Sequence, residues 1–162
     1  MFKDNHVHVR FERWGEIERE VISLARSHFL EVEGPLAALR PLQLKIPTFR
    51  QLDSTGSFRV ITARSDSRLV GYCSWILQED IESAGNLMAT QGAMYVSSDL
   101  RSGATVYHMI QLAIKTFRRL GVKYIFIHHR LLGRGVRLAL WFQRLKATPI
   151  KHEYFLWIGD GD

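Results

Sequence analysis

The sequence predicts an α+β fold in which helices layer on both sides of a single mixed, mostly antiparallel sheet. Three observations carry this expectation. Short apolar runs rich in β-branched and aromatic residues recur along the chain. Two of them, 58–64 and 68–77, are separated only by Ser65-Asp66-Ser67, which reads as an antiparallel hairpin. Two others, 87–96 and 123–129, flank a long amphipathic helix, and strand–helix–strand order implies a parallel crossover.

The elements follow in order. Residues 6–12, HVHVRFE, alternate and read as a strand. Residues 15–30 place Ile17, Val21, Leu24, Ala25 and His28 at helical spacing, with Glu16, Glu18 and Glu20 near the positive end of the dipole. The stretch 31–57 holds three of the four prolines and reads as loop with a short helix or two. Glu31 and Glu33 read there as solvated loop residues. After the hairpin, 78–86 is a polar connection and LMATQGAMYV (87–96) the next strand. Gly92 inside that strand marks a bulge or a close backbone approach. Beyond Ser102, Val106, Met109, Ile110, Ala113, Ile114, Phe117 and Leu120 keep one helical stripe, with Arg118, Arg119 and Gly121 at its end. Residues 123–129 form a strand, 131–145 a further helix entered through Gly133-Arg134-Gly135, and 153–159 a last strand. The count is about four helices in one domain, 1–162.

Bulk composition narrows the class. The chain has 162 residues, 46% hydrophobic and 23% charged, enough to bury a core without staples. No apolar run approaches the roughly 18 residues of a membrane helix, and the charged start MFKDNHVHVRFERWGE does not read as a signal peptide. The single cysteine, Cys73, reads as a reduced packing residue, so the expected compartment is the cytoplasm. His6 and His8 share a strand face but have no third ligand, so no metal site is read. Net charge is +6, divided as −2 over residues 1–100 and +8 over residues 101–162. A basic C-terminal part suits a polyanionic partner: a phosphorylated cofactor, a nucleic acid or an acidic protein face.

The turn between 96 and 106 carries the functional question. A strand ends at Val96, and small residues (Ser97, Ser98, Ser102, Gly103, Ala104, Thr105) lead into the helix. Unpaired N–H groups and the dipole converge there, and Arg101 adds a forked donor suited to phosphate. The same residues also suit a plain strand–helix turn capped by a serine or by Asp99.

Val96-Ser97-Ser98-Asp99-Leu100-Arg101-Ser102-Gly103-Ala104-Thr105-Val106 resembles the acetyl-CoA motif of the GNAT N-acetyltransferases, Gln/Arg-x-x-Gly-x-Gly/Ala after an apolar strand. The resemblance extends to Arg68-Leu69-Val70-Gly71-Tyr72, to Ala93-Met94-Tyr95-Val96 and to Tyr124-Ile125-Phe126-Ile127, covering about 6–159. It is nearest to short phage-encoded GNAT-like proteins. It implies a central parallel strand pair that splays at a bulge, placed at Gly92. Met94, Tyr95 and Val96 would meet the pantetheine of acetyl-CoA, and Arg101, Ser102, Gly103, Ala104, Thr105 and Val106 its pyrophosphate. An amine acceptor of unassigned identity would attack the thioester directly.

The chain departs from that pattern at chemistry-bearing positions. Ala104 and Val106 replace the motif glycines, Phe142 stands where a tyrosine acid is usual, and Lys146-Ala147 where Gly-Phe follows the last helix. Gln91 and Gly92 stand where the motif strand often carries a carboxylate. The catalytic candidates are therefore His128, expected at the strand end on the face of Tyr124 and Phe126, and Gln91. Two other classes stay open. One is a catalytically degenerate binding or virion component with a protein partner in a phage particle or its host. The other is nucleic-acid binding by the basic part, which carries no nucleic-acid motif and whose Trp141 and Phe142 read as core.

Overall fold

The computed structural model describes residues 7–33, 41–101, 103–129, 140 and 142–150. The chain divides into two compact units, Met1–Ile127 and His128–Asp162. The first holds a five-stranded sheet in the order β1 (Val7–Glu12), β2 (Phe58–Ser65), β3 (Arg68–Glu79), β4 (Leu87–Val96), β5 (Val122–Phe126). The first three pairings are antiparallel and the last is parallel, as hairpin and crossover predict. Among the described residues of this unit lie three α-helices: α1 (Trp14–Glu33), α2 (Ile46–Ser54) and α3 (Gly103–Arg119). In the second unit Leu140 and residues 142–144 are helical, and Phe142 is buried. The expected strand 153–159 and most of the expected helix 131–145 lie outside the described residues.

Each face of the sheet takes one alternating set of side chains. Phe58 and Val60 of β2, Tyr72 of β3 and Tyr95 of β4 meet the α1 stripe Trp14, Ile17, Val21 and Ala25. Phe49 of α2 closes that layer against Trp14 and Phe58, with ring centroids 4.9 and 5.1 Å away. On the other face Phe117 of α3, 1% exposed, meets Trp75 of β3 edge-on at 5.3 Å and Phe11 of β1 at 6.1 Å. Burying side chains of this size contributes roughly 1.5–3 kcal/mol each. Cys73, the partner of Met94 across the strand pair, is 0% exposed, and burial pushes its thiol well above the usual range.

Two boundaries differ from the sequence reading. α1 runs to Glu33, so Glu31 sits in its last turns and not in a loop. β5 ends at Phe126, so the alternation expected to reach His128 stops short of it. Helix α1 also uses its acids differently from the dipole argument. Glu16 does serve the helix start, accepting from Arg13 N–H at 3.3 Å, as half of a capping box. Glu18 instead takes Arg50 of α2 at 2.6 and 2.8 Å, and Glu20 takes Arg64 of β2 at 2.7 and 3.0 Å.

Arg64 is the centre of the tightest charge cluster. Its side chain, 11% exposed, also donates to Glu12 at 2.8 and 3.2 Å and to Ser67 C=O at 2.6 Å. Burial pushes Glu12 up, but hydrogen bonds from Arg64, Arg10 and Thr62 outweigh it and hold its carboxyl at about 2. A carboxyl depressed in the folded state adds stability above its unfolded value of 4.5, lost as pH falls toward 2. Acid denaturation followed by circular dichroism should therefore show a stability decline between about pH 5 and 2 that Glu12→Gln flattens. Arg64→Met takes the shared guanidinium away from Glu12 and Glu20 and should cost about 2–4 kcal/mol in chemical denaturation.

Candidate functional site

The parallel pair parts where a bulge was expected. Among the described residues β5 pairs with β4 only from Leu87 to Thr90, the last partners being Thr90 and Phe126. Over the next six residues of β4, through Val96, the described ladder is the one with β3. On that side the register slips: Trp75 faces Gln91 and Cys73 faces Met94, so Ser74 stands opposite both Gly92 and Ala93. That is one extra residue in β4, which bends the strand and sharpens its twist.

Ser74 holds the bulge. Its Oγ accepts from Ala93 N–H at 2.8 Å. A Cβ on Gly92 would lie 2.6 Å from that same oxygen, so the position excludes any side chain while Ser74 stays in place. Gly71 plays the matching part further along: a Cβ there would lie 2.8 Å from Tyr95 C=O, so β3 and β4 approach closely beside the parting.

The direction of the backbone follows. Ala93 N–H goes to Ser74, and Ser97 N–H donates to Val70 C=O at 2.7 Å. By strand alternation the amides of Met94 and Val96 face the opposite way, toward the side on which no described strand pairs with them. Arg101 reaches back into this gap, and its Nε and Nη2 donate to Val96 C=O at 2.9 and 2.8 Å. Nη1 and Nη2 also grip Glu31 of α1 at 2.5 and 3.0 Å. The guanidinium lies 5.4 Å from the centre of the Tyr95 ring, whose hydroxyl donates to Glu31 at 3.1 Å. Behind Tyr95, His28 stacks at 4.8 Å, and its Nδ1 lies 2.8 Å from the Tyr72 hydroxyl. The hydrogen bond to Glu31 raises Arg101 still further above its usual range, and burial followed by Glu31 raises Tyr95.

The expected residues distribute as follows. Met94, Tyr95 and Val96 border the gap, Tyr95 and Val96 being buried and Met94 half-buried. A short 3-10 turn, Ser98–Leu100, leads from β4 toward α3, whose first residue is Gly103. Ser102 lies outside the described residues. Ala104 is exposed, Thr105 buried and Val106 half-buried in the first turns of α3. Asp99, one of the expected caps, faces Arg68 at 3.4 Å instead. Gln91 is buried, 4% exposed, opposite Trp75. His128 is exposed and belongs to the second unit, so the sheet does not set its direction. Sequence reasoning missed the Glu31–Tyr95–Arg101 cluster and the supporting role of His28. The signal was present: His28 and Glu31 lie three residues apart, on one side of α1 near its end.

Concavities of about 550 Å³ beside His8, Arg10 and Arg64 and about 510 Å³ beside Glu18 and Arg50 lie elsewhere. Arg64 and Arg50 are already committed to α1 carboxylates, so the gap at β4 remains the candidate site. No described helix is long and apolar enough to cross a membrane.

No family model and no curated protein matches the sequence. Solved structures do. An aminoglycoside acetyltransferase from an uncultured soil metagenomic sample superposes with TM-score 0.74 at 12% identity, over 95% of this chain and 99% of its own. A ribosomal-protein-alanine N-acetyltransferase from Brucella melitensis biovar Abortus 2308 gives 0.68 at 15% identity, over 95% and 100%. A predicted acetyltransferase from Clostridium acetobutylicum, solved with acetyl-CoA, gives 0.70 at 11% identity, over 94% and 97%. At these identities the shared property is the fold, which is the GNAT-like acyl-CoA N-acyltransferase fold that the motif resemblance implies.

Because Ser74 anchors the bulge, Ser74→Ala should leave Ala93 N–H without its acceptor and cost about 1–3 kcal/mol. Gly92→Val should cost at least as much, and both are read by urea denaturation. Ser74→Ala as stable as the native chain would mean the bulge holds without the hydroxyl.

Proposed function

We propose that the chain transfers an acetyl group from acetyl-CoA to an amine. The observation that carries this reading is the end of the described β4–β5 ladder at Thr90, beyond which the Met94 and Val96 amides face away from β3. Such amides suit an extended amide-bearing arm, which would add to β4 as a strand does. Met94 N–H, Met94 C=O and Val96 N–H are the groups this arm would meet.

The residues present fit the rest of the donor in part. Gly103, Ala104 and Thr105 give a helix start with small side chains, where N–H groups and the dipole favour phosphate. Arg101 is the forked donor at its edge. Val106 adds a branched side chain beside that turn. When bound, acetyl-CoA supplies the activated acyl group. The chain supplies the backbone that aligns it, and positioning of this kind accounts for a large share of such rate enhancements. The acceptor is an amine in two of the structural relatives by name, an aminoglycoside in one and a ribosomal protein's alanine in the other. The acceptor class here is read no further than amine. Gln91 and His128 are the remaining polar candidates near the chemistry in sequence terms; buried Gln91 serves better to hold the bulge than to move a proton.

A second reading keeps the fold and drops the turnover: a binding or virion component. It draws on Arg101, whose guanidinium is already committed to Glu31 and Val96, and on apolar Phe142 in the place of an acid.

Isothermal titration separates the two. The transferase reading expects acetyl-CoA to bind with a dissociation constant in the micromolar range, typical of substrate affinities. No heat of binding at millimolar acetyl-CoA removes it. Binding without thiol release across a panel of primary amines favours the second reading.

A further inference from the structure

One end of α3 serves the acyl-transfer reading and the other has no part in it. The helix has 17 residues, about 25 Å at 1.5 Å per residue, so its last turn stands far from the helix start that suits phosphate. Lys115, Arg118 and Arg119 of α3 and Lys123 of β5 are all exposed. Among the described residues none of their side chains has a hydrogen bond or an ion pair, whereas Arg50, Arg64 and Arg101 each meet a glutamate of α1. Asp80, at the same end of the sheet, takes the Tyr124 hydroxyl instead.

The sequence around this end is of one sign. Residues 100–152 hold 11 Lys/Arg and no aspartate or glutamate. Spread evenly, the 16 acids of the chain would place about five in that length. The macrodipole accounts for Arg118 and Arg119, which occupy the last turn. It does not account for Lys115, one turn earlier and on the same side as both arginines, or for Lys123, two residues past the turn at Gly121. Like charges at this helical spacing weaken a helix, so the cluster opposes folding and adds nothing to the core.

We propose that the end of α3 and the start of β5 form a docking surface for the phosphate backbone of a nucleic acid duplex. Side chains three and four residues apart on a helix stand about 5–6 Å from one another, a row that long flexible cations can lay along successive phosphates. A protein partner is matched by charges of both signs at the rim, and this surface offers one. A membrane face needs several apolar side chains to insert, and Leu120, 46% exposed, is the one large apolar side chain of residues 115–123 that stands exposed. Contacts of this kind place a protein on a duplex without reading its bases. The surface lies apart from the β4 gap and is independent of whether acetyl-CoA binds there.

The test uses the full chain and a labelled duplex of about 20 base pairs, as DNA and as RNA, followed by fluorescence anisotropy. Four phosphate contacts give a slope of log affinity against log salt of about −3.6, so raising salt from about 50 to about 200 mM should weaken binding about a hundredfold. The triple change Lys115→Gln, Arg118→Gln, Arg119→Gln should cut the slope to about −1 and the salt effect to about three- to fourfold. Arg118→Lys with Arg119→Lys should keep the native slope. Removing three exposed cations elsewhere, by Arg19→Gln, Arg26→Gln and Lys45→Gln, should leave it unchanged. Circular dichroism melting confirms that each variant is folded. No binding of either duplex at low salt overturns the proposal. So does an equal loss in the two triple variants, which would make net charge alone responsible. Binding to poly-glutamate, or to vesicles containing phosphatidylserine, as tight as to the duplex also overturns it.

Discussion

The organisation of the first unit depends on one constraint: backbone amides of a strand cannot be left dry and unpaired. Among the described residues β4 keeps its hydrogen-bonded neighbour on one side along its length, while its ladder with β5 ends at Thr90. A strand that does this must leave its gap-facing groups wet, ligand-bound or capped by a side chain. The protein caps one of them, Val96 C=O, with Arg101. The bulge at Ser74 makes the parting permanent, since an extra residue in β4 throws the strand out of line with β5 beyond it.

A second theme is how α1 is attached. Three of its glutamates each take an arginine from a different element: Glu18 takes Arg50, Glu20 takes Arg64 and Glu31 takes Arg101. The first two lie beside buried aromatic layers and fix the helix to α2 and β2. The third lies at the opposite end, beside the gap. Exposed pairs contribute little to stability, so the third pair is better understood through where it places its charges than through what it adds to folding. Helix α1 is thus tied by an ion pair toward each end, with one apolar stripe between them.

Much of this fold was legible because its signals are local. The hairpin at Ser65–Arg68, the strand over residues 87–96 and the stripe of α3 follow from period and turn chemistry, and Gly92 marked the bulge because few other reasons put glycine mid-strand. The pairing of Arg101 with Glu31 was not legible, since the two residues are far apart in sequence and nothing local links them. Arg101 looked like a phosphate donor for its position alone; which acid it meets depends on how α1 lies across the sheet. β5 was read too long for a related reason. Apolar alternation continues through Ile127, but pairing is decided by the neighbouring strand, which has already turned away.

Cys73 gives the sheet an internal sentinel. It is the chain's only thiol, fully enclosed and protonated, and lies across from Met94 at the edge of the parted region. Its side chain alternates with that of Tyr72, so it lies on the sheet face where Trp75 meets Phe117 of α3. An alkylating reagent can therefore reach it only when the layer over that face lifts, and the rate at which the sulfur is captured counts those openings with no foreign probe added to the molecule.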